Sequence, residues 1–123
     1  IEERNKILDS YKNCINDPNI SFLKIGKNIK SSVHLVIIIL NNISEANHKL
    51  VFNEMRKRNI GVQLHYSPIH LQPYYRKLGF KEGDYPISEE YARKALSLPV
   101  FEGLEDYHQK YVIKSILDVV YNL

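Results

Sequence analysis

The residues best suited to chemistry are concentrated in one stretch of the chain, residues 61–75. This stretch contains His65 and His70 together with several tyrosines, a serine and a glutamine. Imidazole, hydroxyl and amide groups hydrogen-bond to phosphate and sugar oxygens, and aromatic faces stack on a base. The pattern therefore suits a polar, anionic, ring-shaped ligand. From composition alone, a structural reading stays open, in which the tyrosines pack and both histidines form ordinary backbone hydrogen bonds.

Other kinds of site are not favoured by the sequence. It contains no phosphate loop, dinucleotide-binding glycine motif, zinc-protease motif or Cys-x-x-Cys pair. His65 and His70 are five residues apart and lack a matching third ligand, so we expect no metal site. A single cysteine, Cys14, with scattered histidines does not indicate a nucleophile.

The remaining histidines are expected to have structural or surface positions. His34 lies in an apolar segment, which predicts a satisfied histidine in the core or at a domain interface. His48 and His108 lie on predicted helices and are expected to be exposed.

Composition limits the class of protein. A chain of 123 residues suits one domain, and 44% hydrophobic with 25% charged residues is typical of a globular protein. The net charge is only +3 and no basic stripe interleaves with aromatics, which argues against a nucleic-acid partner. The longest apolar run, residues 33–40, is far shorter than the roughly 20 residues of a membrane helix. Cys14 alone excludes an internal disulfide and favours a reducing, cytoplasmic setting.

Periodicity predicts the elements that must position residues 61–75. Helices are predicted at residues 1–16, 44–58, 88–95 and 104–121, and strands at residues 20–25, 33–40, 60–66 and 96–100. Residues 67–87 form a long connection, which is usually functional or carries a short helical piece. Only one strand–helix–strand unit is clear. The order predicts an α+β fold, with a short, mostly antiparallel sheet covered by helices mainly on one face.

Caps and apolar stripes refine this prediction. Ser44 and Ser88 are predicted N-caps, and Asn59 is a plausible left-handed residue after the second helix. The predicted buried stripe of the second helix is Leu50, Val51 and Met55. That of the last helix is Leu104, Tyr107, Tyr111, Ile116 and Val120.

Residues 61–75 resemble the region G-[IV]-x-V-x-x-H-Y-x-P-x-H-x-Q-P-x-Y of the DegT/DnrJ-type sugar aminotransferases. Other stretches agree in order and spacing: Gly83–Pro86 with Ser88–Ala92, Leu96–Phe101, Val33–Leu35, and Arg4 with Tyr11 in the first helix. Two positions depart from the family pattern. Ser88 replaces the usual alanine, and Glu105 stands where a threonine or serine often caps the last helix.

The resemblance implies that the chain is the C-terminal small domain of an enzyme that uses pyridoxal 5′-phosphate (PLP). Residues 1–16 would be the inter-domain helix and residues 17–123 an α/β sandwich. The start at Ile1, within a helical pattern, fits an origin in a longer protein. The large domain, with PLP and its Schiff-base lysine, would lie outside this chain, so the chain alone would be inactive and would bind no PLP.

The implied reaction moves an amino group from glutamate to C4 of a nucleotide-linked 4-keto-6-deoxy sugar. Within the family, the His65-Tyr66-x-Pro68 pattern and the Asn/Ile/Lys-rich composition resemble the enzymes that act on a UDP-sugar on the route to pseudaminic acid. The full-length protein would be a homodimer. The alternative that the residues leave open is a free-standing α+β ligand-binding or regulatory module.

The resemblance also implies a set of site residues. His65, Tyr66, Ser67 and Pro68 would line the sugar-nucleotide pocket from the small-domain side, with His70 and Gln72 as further candidates. No lysine of this chain lies in a matching motif, so no catalytic or cofactor-binding residue is assigned here.

Overall fold

The computed structural model describes residues 1–26 and 28–123. The described helices are α1 (Glu2–Cys14), α2 (Glu45–Lys57), α3 (Pro73–Lys77), α4 (Pro86–Lys94) and α5 (Asp106–Tyr121), and a 3-10 turn spans Ile69–Leu71. The strands are β1 (Ile20–Phe22), β2 (Val36–Leu40) and β3 (Ala95–Leu98). The long connection predicted at residues 67–87 thus carries the 3-10 turn and the short helix α3.

The three strands form one antiparallel sheet in the order β1-β2-β3. Ile20 pairs with Leu40, and Ile38 pairs with Leu96. This confirms the predicted α+β fold with a short antiparallel sheet. β2 therefore lies in the centre of the sheet, and β1 and β3 form its edges.

The predicted strand at residues 60–66 is wrong. Ile60 and Val62 are buried as the alternation predicts, but only Gln63 pairs with a neighbour, Ser97 of β3. The Ser97 amide donates to the Gln63 carbonyl at 2.9 Å, and the reverse contact is 3.4 Å. Alternation predicts which side chains face the core; it does not say whether a second backbone runs alongside.

β2 is shorter than predicted because the backbone before it is not extended. Val33 has φ of 45°, in the left-handed region that a β-branched residue rarely adopts, so no strand continues through it. His34 consequently lies before the strand with an exposed side chain, which corrects its expected place in the core. The first strand also ends at Phe22 rather than at residue 25.

The hydrophobic core lies on one face of the sheet. Val36, Ile38 and Leu40 of β2 are fully buried, whereas the intervening Ile37 and Ile39 are only half-buried. Residues of α1, α2 and α5 complete the same core cluster: Ile7, Leu8, Tyr11, Val51, Met55, Val112, Ile113, Ile116, Val119 and Val120. Helices therefore cover mainly one face, as predicted, and the other face remains available for a site.

α2 confirms its predicted caps and corrects its buried stripe. The Ser44 hydroxyl accepts from the Asn47 amide at 3.2 Å. Val51 and Met55 are buried, but Leu50 is 44% exposed and His48 takes the third buried position. Positions 48, 51 and 55 share one face, whereas Leu50 is rotated from Val51 by about 100° around the helix.

Asn59, the second residue after α2, also adopts the conformation predicted for it. Asn59 has φ of 58°, which confirms the left-handed conformation. Such a residue turns the chain away from the helix axis and directs it towards the buried Ile60.

α4 and α5 begin differently from the prediction. α4 starts at Pro86, so Ser88 is not its cap; proline suits the first helical position because its missing N–H needs no partner there. Glu105 precedes α5 without a side-chain cap, consistent with its departure from the family pattern.

The buried face of α5 differs in part from the predicted one. Ile116 and Val120 are buried, but Tyr107 and Tyr111 are 63% and 49% exposed. The predicted set steps five residues from Tyr111 to Ile116, which crosses to another face of the helix. His108 is exposed, as predicted.

Among the helices described here, not one combines the length and the apolarity that a membrane span requires.

The corrected stripe of α2 is testable by comparing two apolar residues of the same helix. Met55→Ala removes a fully buried side chain and should lower the free energy of unfolding by about 2–5 kcal/mol. Leu50→Ala, at the exposed position, should cost less than about 1 kcal/mol. Urea unfolding followed by circular dichroism measures both, and equal losses would contradict the burial described here.

Candidate functional site

His65 lies against the face of the sheet opposite the hydrophobic core. Ser97 alternates in β3 with the buried core residues Leu96 and Leu98, so its side chain points to the other face. The Ser97 hydroxyl and the His65 Nε2 are 2.7 Å apart and share a hydrogen bond. β3 therefore fixes both the position and the tilt of the imidazole.

The second ring nitrogen of His65 has no partner. Its Nδ1 is inaccessible to solvent and forms no hydrogen bond within the described residues. An unpaired buried polar atom is costly, and native structures rarely contain one without a reason. Nδ1 is therefore the atom of this face that most requires a partner from outside the chain.

The surroundings of His65 favour its neutral form. Burial lowers the pKa of its imidazole, and the nearby His34 lowers the pKa further by charge repulsion. A neutral imidazole has one nitrogen that donates and one that accepts. The nitrogen that does not serve Ser97 can thus meet a hydroxyl or an anionic oxygen, depending on the tautomer.

The residues that follow His65 are open to solvent. Tyr66 is 72% exposed, and its ring stands edge-on to the His65 ring at a centroid distance of 4.7 Å. Ser67 is exposed and Pro68 is half-buried; the His65–Tyr66 peptide bond is cis. The four residues expected to line a pocket thus form one continuous segment at the surface of this chain.

The two further candidates, His70 and Gln72, differ in their exposure to solvent. Gln72 is exposed, at the start of α3. His70 is only 7% exposed, and its Nε2 lies 2.8 Å from Glu89 Oε1. The ring is held by a carboxylate and packs against Tyr85 at a centroid distance of 4.8 Å, and its role in the sugar-nucleotide pocket stays a prediction.

Sequence reasoning missed Glu89 and Ser97 as partners of these histidines. Glu89 lies in the first turn of α4, where a carboxylate complements the helix dipole, yet its side chain is buried. The His70 hydrogen bond is the largest cause that lowers the pKa of Glu89; burial opposes it, and the amides of Gly83 and Tyr85 lower it further. The available signal for Ser97 was a polar residue inside an otherwise apolar strand, Ala95–Leu98.

Histidine, cysteine and acidic side chains are the groups that could hold a metal ion. Residues 1–26 and 28–123 contain no group of three histidine, cysteine or acidic side chains arranged to hold a metal ion. The His70–Glu89 contact is accordingly a hydrogen-bonded pair without a third ligand in that part of the chain.

A family comparison matches almost the whole chain. The profile of the DegT/DnrJ/EryC1/StrS aminotransferase family matches residues 1–117. The protein MJ1066 of Methanocaldococcus jannaschii is 33% identical over 98 residues, which are 78% of this chain and 25% of that protein. The UDP-4-amino-4,6-dideoxy-N-acetyl-beta-L-altrosamine transaminase of Campylobacter jejuni is 27% identical over 98% of this chain and 32% of that protein.

A solved structure agrees with the fold. Spr1654 of Streptococcus pneumoniae, assigned as a sugar aminotransferase, superimposes with a TM-score of 0.93 at 27% identity in its PMP form, and it has also been solved in a PLP form. The match covers 98% of this chain and 31% of that chain. This chain therefore spans between a quarter and a third of the length of these relatives.

The electrostatics of His65 can be tested by titration of its ring. Its pKa should lie below the ordinary histidine value, because burial and His34 both oppose the charged form. Replacing His34 by Asn should raise the pKa of His65, since one of the two causes is removed. Ring-proton NMR of the 123-residue chain between pH 4 and 9 measures both values. A pKa of His65 that is unchanged in H34N would contradict the proximity of the two rings.

Proposed function

Because the chain belongs to the DegT/DnrJ/EryC1/StrS aminotransferase family, we propose that it is the C-terminal small domain of a PLP-dependent sugar aminotransferase. Residues 1–16 serve as the helix between domains, and residues 17–123 form the small domain itself. The share of each relative that the chain matches supports this division.

In this proposal, the full-length enzyme transfers the amino group of glutamate to C4 of a nucleotide-linked 4-keto-6-deoxy sugar. The C4 carbonyl becomes a C4 amine, and glutamate becomes its 2-oxo acid. The match to a transaminase of a UDP-linked 4,6-dideoxy sugar along 98% of the chain supports this substrate class. Bound PLP would supply the electron sink for both half-reactions.

The lysines within residues 1–26 and 28–123 do not fit a covalent PLP site. Each lysine that the structure describes is exposed or half-buried, and the half-buried Lys94 is paired with Glu90. A lysine that holds an aldehyde cofactor needs an enclosed position and a tuned pKa. We therefore assign PLP binding to the part of the protein outside this chain. We assign binding of the sugar nucleotide to the segment His65–Pro68.

The observation that carries this assignment is the buried, unpartnered Nδ1 of His65. A sugar hydroxyl or a phosphate oxygen would satisfy this nitrogen once the residues that cover it move aside, while Ser97 keeps the other nitrogen in place. Tyr66 offers an open aromatic face beside it, and Ser67 adds an exposed hydroxyl. The segment can thus bind and orient a polar ring, but it forms only one wall of a pocket.

Further protein is needed to cover this wall of the pocket. We propose that the full-length enzyme is a homodimer and that it is located in the cytoplasm. Large apolar side chains are exposed along the same region: Leu64, Tyr66, Ile69, Tyr74, Leu78 and Ile87. Contiguous exposed apolar side chains usually mark a surface that another domain or subunit covers.

The assignment of His65 predicts a selective kinetic defect. In the full-length protein, His65→Ala should raise the KM for the nucleotide sugar about tenfold, as expected for the loss of one well-placed hydrogen bond. The KM for glutamate should stay within about twofold, because the amino acid does not need this wall. Steady-state kinetics with each substrate varied in turn measures both constants.

His108→Ala is the matched control for this experiment. His108 is an exposed histidine on α5, outside the segment, so its variant should keep both KM values. Equal rises in the two KM values of His65→Ala would argue against the pocket assignment. A full-length protein that shows no PLP absorbance after addition of the cofactor would contradict the aminotransferase itself and favour a ligand-binding module.

A further inference from the structure

Three residues of the site region are fixed by one continuous piece of structure, residues 89–98. α4 passes directly into β3, with Lys94 and Ala95 as consecutive residues. Gln63 pairs with the backbone of Ser97, and His65 bonds to its hydroxyl. His70 bonds to Glu89, which lies eight residues before Ser97 in the same piece. The residues between His65 and His70 are therefore held at both ends by the same rigid element.

Of the two side chains that hold this segment, Ser97 and Glu89, the Glu89 carboxylate is the one that contacts His70. It is 4% exposed, and Oε1 lies 2.8 Å from His70 Nε2. The Gly83 amide donates to both oxygens, at 2.9 and 3.1 Å. Arg93 is farther away, at 3.9 Å from Oε2. A buried carboxylate must have its oxygens satisfied, so the groups around Glu89 are held at set positions.

These contacts bring two distant loop segments to one point. His70 belongs to the 3-10 turn that follows the open segment, Tyr66–Pro68. Gly83 belongs to the turn that precedes α4. In the turn, the Leu71 amide donates to Pro68 and the Gln72 amide donates to the Ile69 carbonyl. A turn fixed at His70 thus fixes Pro68, the last residue of the proposed sugar-nucleotide wall.

We infer that Glu89 is a positioning residue for the nucleotide sugar: its carboxylate holds His70 and the Gly83 turn, and so sets the place of Tyr66–Pro68 relative to His65. The inference rests on the proposed function for its kinetic consequence. Glu89 itself is covered and does not meet the substrate.

Glu90 provides a matched control on the same helix. Its carboxylate is exposed and pairs with Lys94 alone. Glu90→Gln and Glu89→Gln make the same chemical change one residue apart. In Glu89→Gln, one oxygen becomes an NH2 donor. At the Oε2 position this removes one of the two acceptors of the Gly83 amide, and at the Oε1 position it removes the other together with the acceptor of His70.

The test uses the full-length enzyme with PLP bound. Glu89→Gln should raise the KM for the nucleotide sugar about fivefold to tenfold, with kcat and the KM for glutamate within about twofold. Glu90→Gln should leave all three unchanged. His70→Ala should match Glu89→Gln, and the double variant should be no worse than either single variant, because both act through one contact. Additive effects would overturn the inference.

A second measurement does not depend on activity. Hydrogen exchange followed by mass spectrometry reports on the Leu71 and Gln72 amides in peptides covering residues 64–72. Exchange there should be about tenfold faster in Glu89→Gln and unchanged in Glu90→Gln. Unchanged exchange in Glu89→Gln overturns the inference, and a lowered Tm with unchanged KM values does so as well. Wild-type protein without amino transfer to any nucleotide 4-ketosugar would overturn the proposed function, and the exchange measurement would still decide the role of Glu89.

Discussion

The structure depends on a strand that is buried on both faces. In β3, Leu96 and Leu98 pack into the core, while Ala95 and Ser97 face the opposite side and are equally covered. Two histidines bond to this strand: His48 contacts the Ala95 carbonyl, and His65 contacts the Ser97 hydroxyl. A strand of four residues therefore joins the apolar core to the candidate site. Any shift of its register would move both.

The buried polar side chains show how the site differs from the rest of the chain. His48 bonds to Ala95, His70 to Glu89, and Gln109 to the Ile7 carbonyl at 2.7 Å. Each of these links joins elements that are distant in sequence. His65 follows the same pattern with one nitrogen only, and its Nδ1 is left without a partner among the described residues. His65 is thus the member of this group whose hydrogen bonding the described residues leave incomplete.

This arrangement suits a domain that contributes one side of a shared pocket. The open segment Tyr66–Pro68 presents an aromatic ring, a hydroxyl and a turn, while the residues that fix it are inside. The exposed groups of this segment and the covered groups that hold them, such as Glu89, are thus separate sets of residues.

The amino-acid sequence by itself determined the main helices, the left-handed Asn59, the Ser44 cap and the α+β class, because these follow from local periodicity and from the conformations that individual residues allow. It also carried the likeness to the aminotransferase family, which the match over residues 1–117 confirms. Helix faces were predicted less well: His48 is buried and Leu50 is exposed, since apolar character alone does not show how a helix rotates against its neighbours.

Only the tertiary structure decided which strands pair and which polar groups meet. Ile60 and Val62 alternate like a strand, but a ladder needs a partner backbone, and β3 meets that segment at Gln63 alone. His65 and Ser97 are 32 residues apart, and His70 and Glu89 are 19 residues apart. Hydrogen bonds at such separations depend on the packing of whole elements, and no local pattern in the chain encodes them.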